Sequence, residues 1–154
     1  MRSLGLDIGD RRTGVAISDP EGILALPLAV IDSRDEETTI ADILKFVQQY
    51  QVERIIVGLP RSMNGDIGEQ ANKVTAFTER LRNVIATLNE VKGKQSHLTR
   101  VSIQLWDERL STVAANRLMT EAGVKRNKRK SQRDAVAAAF ILQGFLDSLK
   151  EMPF

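Results

Sequence analysis

Two short runs near the start of the chain, residues 3–8 (SLGLDI) and 13–19 (TGVAISD), alternate large apolar with small or polar residues around the segment GDRR. A period of two is that of a half-buried strand, and two such runs across a Gly-containing turn make a hairpin. Everything that follows must dock on that antiparallel pair. Residues 23–31 (ILALPLAVI) read as a third strand, and Pro27, which cannot donate to a ladder, puts it at an edge.

The period then changes. In SRDEETTIADILKFVQQY, Ser33 and Glu36 have capping-box spacing, and Ile40, Ile43, Leu44 and Val47 share one helical face. Residues 54–58 (RIIVG) hold a continuous apolar run after Arg54, as a central parallel strand should. A helix over 69–90 turns Val74, Phe77, Leu81 and Leu88 inward, and a fifth strand covers 100–106. A helix over 110–122 closes at Gly123, and a last one, apolar almost all round, covers 133–149. The order βββαβαβαα predicts an α/β fold: a five-stranded mixed sheet flanked by helices, in one domain over residues 1–154.

Composition removes several chemistries. There is no Cys, so disulfides and thiolate zinc sites are out. The single His97 lies in the polar run GKQSHLTR and reads as a solvated loop residue, which leaves a Ser–His triad nothing to build on. No apolar stretch is long enough to cross a membrane, and MRSLG is no secretory signal, so the expected location is cytoplasmic, with no membrane partner. The formal charge is only +2, but it is unevenly spread: VKRNKRKSQRD, residues 124–134, carries six Lys or Arg before its one acid. That run reads as a solvated loop leading into the last helix.

Three acids end hydrophobic elements. Asp7 alternates opposite Leu4, Leu6 and Ile8; Glu108 continues the phase opposite Val101, Ile103 and Leu105; Asp134 begins the last helix, at the edge of its inward stripe. Strand ends along one sheet edge are where α/β proteins build sites. Three converging carboxylates cannot all stay ionised without a cation, and oxygen ligands without His or Cys favour Mg²⁺ or Mn²⁺. Such a site suits phosphodiester cleavage of the two-metal type, with ions about 3.5–4 Å apart clamping the attacking and leaving oxygens. Each acid also has a structural reading. Asp134 caps its helix with Ser131, Asp107 or Glu108 pairs with Arg109, and Asp7 braces the turn through Arg11 or Arg12. Spacing alone does not decide.

LGLDIGDRRTGVAISD, IIVGLPRSMNGDIGEQA, WDERLSTVAA and RDAVAAAFILQGFLD together resemble the YqgF/RuvX family over nearly the whole chain. The resemblance implies a ribonuclease H-like fold, with Asp7, Glu108 and Asp134 as catalytic acids holding a divalent metal. Members are described as Holliday-junction resolvases or as nucleases maturing the 5′ end of pre-16S ribosomal RNA. By the same matching, Gly9 and Gly14 let the hairpin turn tightly, and Pro60, Asn64 and Gly65 form a loop at the same edge. Arg11, Arg12, Arg61, Asn64, Arg109, Thr112, Lys128, Arg129 and Arg133 are the expected nucleic-acid contacts. Arg109 and Thr112 also fit a surface salt bridge and a helix-face hydroxyl. Asp10 stands where relatives often carry Thr or Ser; it pairs with Arg11 or Arg12, recruits a further metal-bound water, or weakens phosphate approach. Trp106 reads as core rather than as a stacking platform.

The reading is therefore a metal-dependent endonuclease acting on structured RNA such as a ribosomal precursor. The alternative within the class is a resolvase of branched DNA, whose symmetric cuts call for a homodimer. Two other classes compete: a non-catalytic nucleic-acid-binding protein, and a nucleotide-binding module using DIGDRRTGVAI as a phosphate hairpin. The second needs another such hairpin, and the chain has one; no GxxxxGK[ST] is present.

Overall fold

A computed structural model describes residues 1–60, 68–93, 97–108 and 126–150, the side chains of Thr99, Glu108 and residues 126–131 excepted. The elements are β1 (Ser3–Ile8), β2 (Arg12–Ser18), β3 (Ala25–Asp32), α1 (Glu36–Gln49), β4 (Arg54–Pro60), α2 (Glu69–Lys92), a 3₁₀ turn (His97–Arg100), β5 (Ser102–Glu108) and α3 (Arg126–Lys150). The helix expected over 110–122 lies outside the described residues. Among them, no helix is long and apolar enough to cross a membrane.

The strands form one mixed sheet in the order β3-β2-β1-β4-β5. The hairpin sets β1 antiparallel to β2, with Asp7 opposite Gly14. β4 lies parallel to β1, and β5 parallel to β4, as connections through a helix allow. Alternation sorts the two faces. Leu4, Leu6, Ile55 and Val57 pack under α1 and α2 with Ile43, Val47, Val74, Phe77 and Leu81. Ala16 and Ile56 face the other way, onto Ala138, Ile141, Leu142 and Phe145 of α3. Trp106 joins this second cluster edge-on to Phe145, with ring centroids 5.5 Å apart, so it is a packing residue as expected.

β3 is indeed an edge strand, and its pairing with β2 shifts register beside Pro27. It starts at Ala25 rather than at residue 23, because the Asp19 carboxylate accepts the amides of Ile23 and Leu24 at 2.6 and 2.9 Å and holds them in the preceding turn. The capping box at Ser33 is not formed. Asp35 holds the N-cap position of α1 without a side-chain capping bond, while the Ser33 hydroxyl donates to the Gly9 carbonyl at 2.7 Å and its amide to that of Arg11 at 2.9 Å. Ser33 is thus engaged in bracing the β1–β2 turn. His97 is no solvated loop residue either; its Nε2 lies 2.6 Å from the Val52 carbonyl, within the 3₁₀ turn. That turn delays β5 to Ser102, and the strand runs on to Glu108.

The largest correction is at the last helix. α3 begins at Arg126, so most of the basic run is helical rather than a loop. Lys, Arg and Gln are good helix formers. Their first two turns carry no apolar stripe, so periodicity could not reveal them.

Candidate active site at the sheet edge

Asp7 is the penultimate residue of β1, on the face covered by α3. Its neighbour across the hairpin, Gly14, explains how a helix can lie so close there. A Cβ built on Gly14 would stand 1.8 Å from the Asp134 carbonyl oxygen, and one on Gly5 would stand 2.8 Å from the Leu142 Cβ. Without those side chains, the α3 backbone rests directly on β1 and β2. Gly14 is therefore a seat for the helix within β2, not part of the turn as the sequence suggested. Gly9 is the turn glycine, since a Cβ there would meet the Arg12 carbonyl oxygen at 2.5 Å.

This contact brings Asp134 to Asp7. Asp134 lies two turns inside α3, which removes its reading as a helix cap with Ser131. Asp7 is half-buried, and its carboxyl is pushed up to about 6, first by burial and then by the negative charge of Asp134. No cation offsets it among the described residues. Arg12 does not brace Asp7; its Nε lies 3.3 Å from Asp134 Oδ2. Two carboxylates held together, one of them partly withdrawn from water, form a site that attracts positive charge.

The third acid reaches the same edge by its backbone. Leu6 is in register with Val57 and Val57 with Leu105, and β5 continues to Glu108, paired with Pro60. The Glu108 side chain lies outside the described residues. Among those described, no group of three His, Asp or Glu side chains converges. The donors that do meet are carboxylate oxygens only, a set that fits Mg²⁺ or Mn²⁺.

Around the acids, Arg11 and Arg12 line an open groove with Val30, Asp32 and Arg34. Arg34 forks onto Asp32, with Nε 2.9 Å from Oδ1, and its hydrogen bonds hold the Asp32 carboxyl down to about 2. Asp10 chooses none of its expected partners: Lys73 Nζ of α2 lies 3.5 Å from its Oδ2. Arg133 is exposed beside Asp134. Lys128 and Arg129 have helical backbone in the turns before it, their side chains outside the described set. Arg61, Asn64, Gly65, Arg109 and Thr112 also fall outside the described residues. Arg34 and Lys73 were missed in the sequence, because nothing local connects either to the hairpin it meets in space.

Comparison with known proteins follows the same line. A family model described as "RuvX: Holliday junction resolvase" matches residues 1–148. A protein of Clostridium botulinum (strain Hall) named "Putative pre-16S rRNA nuclease" is 45% identical over 151 residues, spanning 98% of this chain and 100% of its own. One of the same name from Clostridium novyi (strain NT) is 44% identical over 149 residues, with 97% and 100% covered. Among solved structures, T. thermophilus RuvC in complex with a Holliday junction substrate superposes with a TM-score of 0.59 at 15% identity, over 98% of this chain and 97% of that one. The Fowlpox virus resolvase in complex with Holliday junction DNA gives 0.57 at 11%, over 97% and 99%. At such identities the likeness is one of fold: the mixed sheet and its helices are ribonuclease H-like.

Proposed function

The chain belongs to the RuvX family, a family of nucleases, and from that premise we propose that it is a metal-dependent endonuclease whose acids are Asp7, Glu108 and Asp134. The observation that carries the reading is the half-buried Asp7 held beside Asp134 with no cation of its own among the described residues. Asp7 and Asp134 would hold a Mg²⁺ or Mn²⁺ ion, with Glu108 completing its shell from the end of β5. A divalent ion bound there would stabilise the charge that develops on phosphate oxygens during in-line displacement. The chain's own residues do the rest. Gly14 fixes the height of Asp134 over the hairpin, and Arg11, Arg12 and Arg133 draw the polyanion toward the acids. Arg61, Asn64, Arg109, Thr112, Lys128 and Arg129 would extend that contact along the backbone of the substrate.

The preferred substrate is a precursor of 16S ribosomal RNA, because relatives 43–45% identical over their full length carry that name. Four-way DNA is the second reading, favoured by the family description and by the fold shared with junction resolvases. It would require a homodimer. Either activity belongs in the cytoplasm.

Purified protein incubated with Mg²⁺ or Mn²⁺ and each substrate separates the cases, with Asp7→Asn and Asp134→Asn alongside. Cleavage of the precursor, lost in both variants, is the expected result; preferential junction cleavage selects the second reading. Cleavage that survives both substitutions, or nucleic-acid binding without any cleavage, overturns the catalytic assignment.

A further inference from the structure

Of the two acids that meet above the hairpin, Asp134 has a cation and Asp7 has none among the described residues. That cation, Arg12, is the first residue of β2, directly after the turn, with a side chain 63% exposed. Its closest approach to Asp134 is from Nε to Oδ2 at 3.3 Å. Ion pairs with so exposed a partner are weak and readily exchanged. On its other side Arg12 lines the groove shared with Arg11 and Arg34. There Arg34 is committed to Asp32, and Arg11 has no ion pair among the described residues. The groove therefore offers positive charge without an anion to match it.

We infer that Arg12 is an exchangeable counter-ion, which neutralises Asp134 in the free protein and moves to a substrate phosphate in the Arg11 groove when a divalent cation takes that carboxylate. The inference rests on the acidic metal site proposed above, and adds to it a residue that ties metal loading to nucleic-acid binding. Arg12 and the metal compete for one carboxylate, so removing the guanidinium strengthens metal binding. Arg12 and Arg11 both attract phosphate, so removing either weakens nucleic-acid binding. An ordinary phosphate contact would change only the second quantity, and a structural ion pair would change stability.

Calorimetric titration of the full chain with Mn²⁺ alone, followed by anisotropy of a fluorescein-labelled RNA duplex with Mn²⁺ bound, reads both quantities as binding and not as turnover. Arg12→Ala is expected to bind Mn²⁺ roughly threefold more tightly and the duplex more weakly. Arg11→Ala should weaken the duplex and leave Mn²⁺ affinity unchanged. Arg12→Lys, which keeps the charge but not the fork, should hold Mn²⁺ affinity near that of the unsubstituted chain. Unchanged or weaker Mn²⁺ binding by Arg12→Ala overturns the exchange while leaving the metal site intact. If the unsubstituted chain binds no Mn²⁺, or binds it equally well as Asp7→Asn, the metal-site reading itself fails, and the exchange fails with it.

Discussion

Against α1 and α2 the sheet presents Leu4, Leu6, Ile55 and Val57, all fully buried; against α3 it presents Gly5, Gly14, Ala16 and Ile56. The first face is filled by branched side chains that can shift and repack around a change of shape. The second has no such slack near the acids. Main chain lies on main chain at Gly14, so the height and register of α3 are set by backbone contact. One face chiefly supplies hydrophobic stability, and the other sets where Asp134 stands.

The sharpest way to break that contrast is Gly14→Ala. The new methyl would need the space of the Asp134 carbonyl, so the variant should lose about 3 kcal/mol or more in denaturant unfolding. The molecules that remain folded should also lose Mn²⁺ affinity. Leu6→Ala on the opposite face should cost a comparable amount, about 2–5 kcal/mol. Its folded fraction should bind Mn²⁺ as before. If the two variants lost metal affinity equally, the division of labour between the faces would be wrong.

A subtler test uses Asp7. Its carboxyl titrates near 6 in the folded chain against about 3.9 when unfolded, so the folded state holds the proton more tightly between those values. Stability from this group is therefore present at acid pH and falls as pH rises through that window. Metal binding runs the other way and should weaken below about pH 6, where the ligand is protonated. Asp7→Asn should accordingly be inactive yet about 1–2 kcal/mol more stable at about pH 8. Thermal melts across pH, beside Mn²⁺ titrations, would expose either sign as wrong. The smallest effect is expected at Lys73→Ala. Its bridge to Asp10 is exposed on both sides, and loss should change stability by less than about 1 kcal/mol, with Mn²⁺ affinity unaltered.

Legibility in the sequence followed the same division. The α1 and α2 face was readable because burial there writes itself as period: Ile40, Ile43 and Val47 on one helix, Val74, Phe77 and Leu81 on the other. Misreadings fell where a polar group chose its partner in three dimensions. Ser33 went to Gly9 instead of a helix cap, Asp19 captured the amides of an apolar stretch, and His97 found the Val52 carbonyl. Asp10 met Lys73, and Arg12 met Asp134 rather than Asp7. None of these choices leaves a periodic trace.

By itself the sequence determined the order of the described strands and helices, the face on which Asp7 lies and the family motifs, because alternation and helical period are properties of neighbouring residues. Tertiary structure alone decided that Asp7 and Asp134 lie close together and that Arg12 pairs with the second of them. Those facts depend on how closely a helix from the far end of the chain approaches the first hairpin, and that distance is set by a side chain that Gly14 does not have.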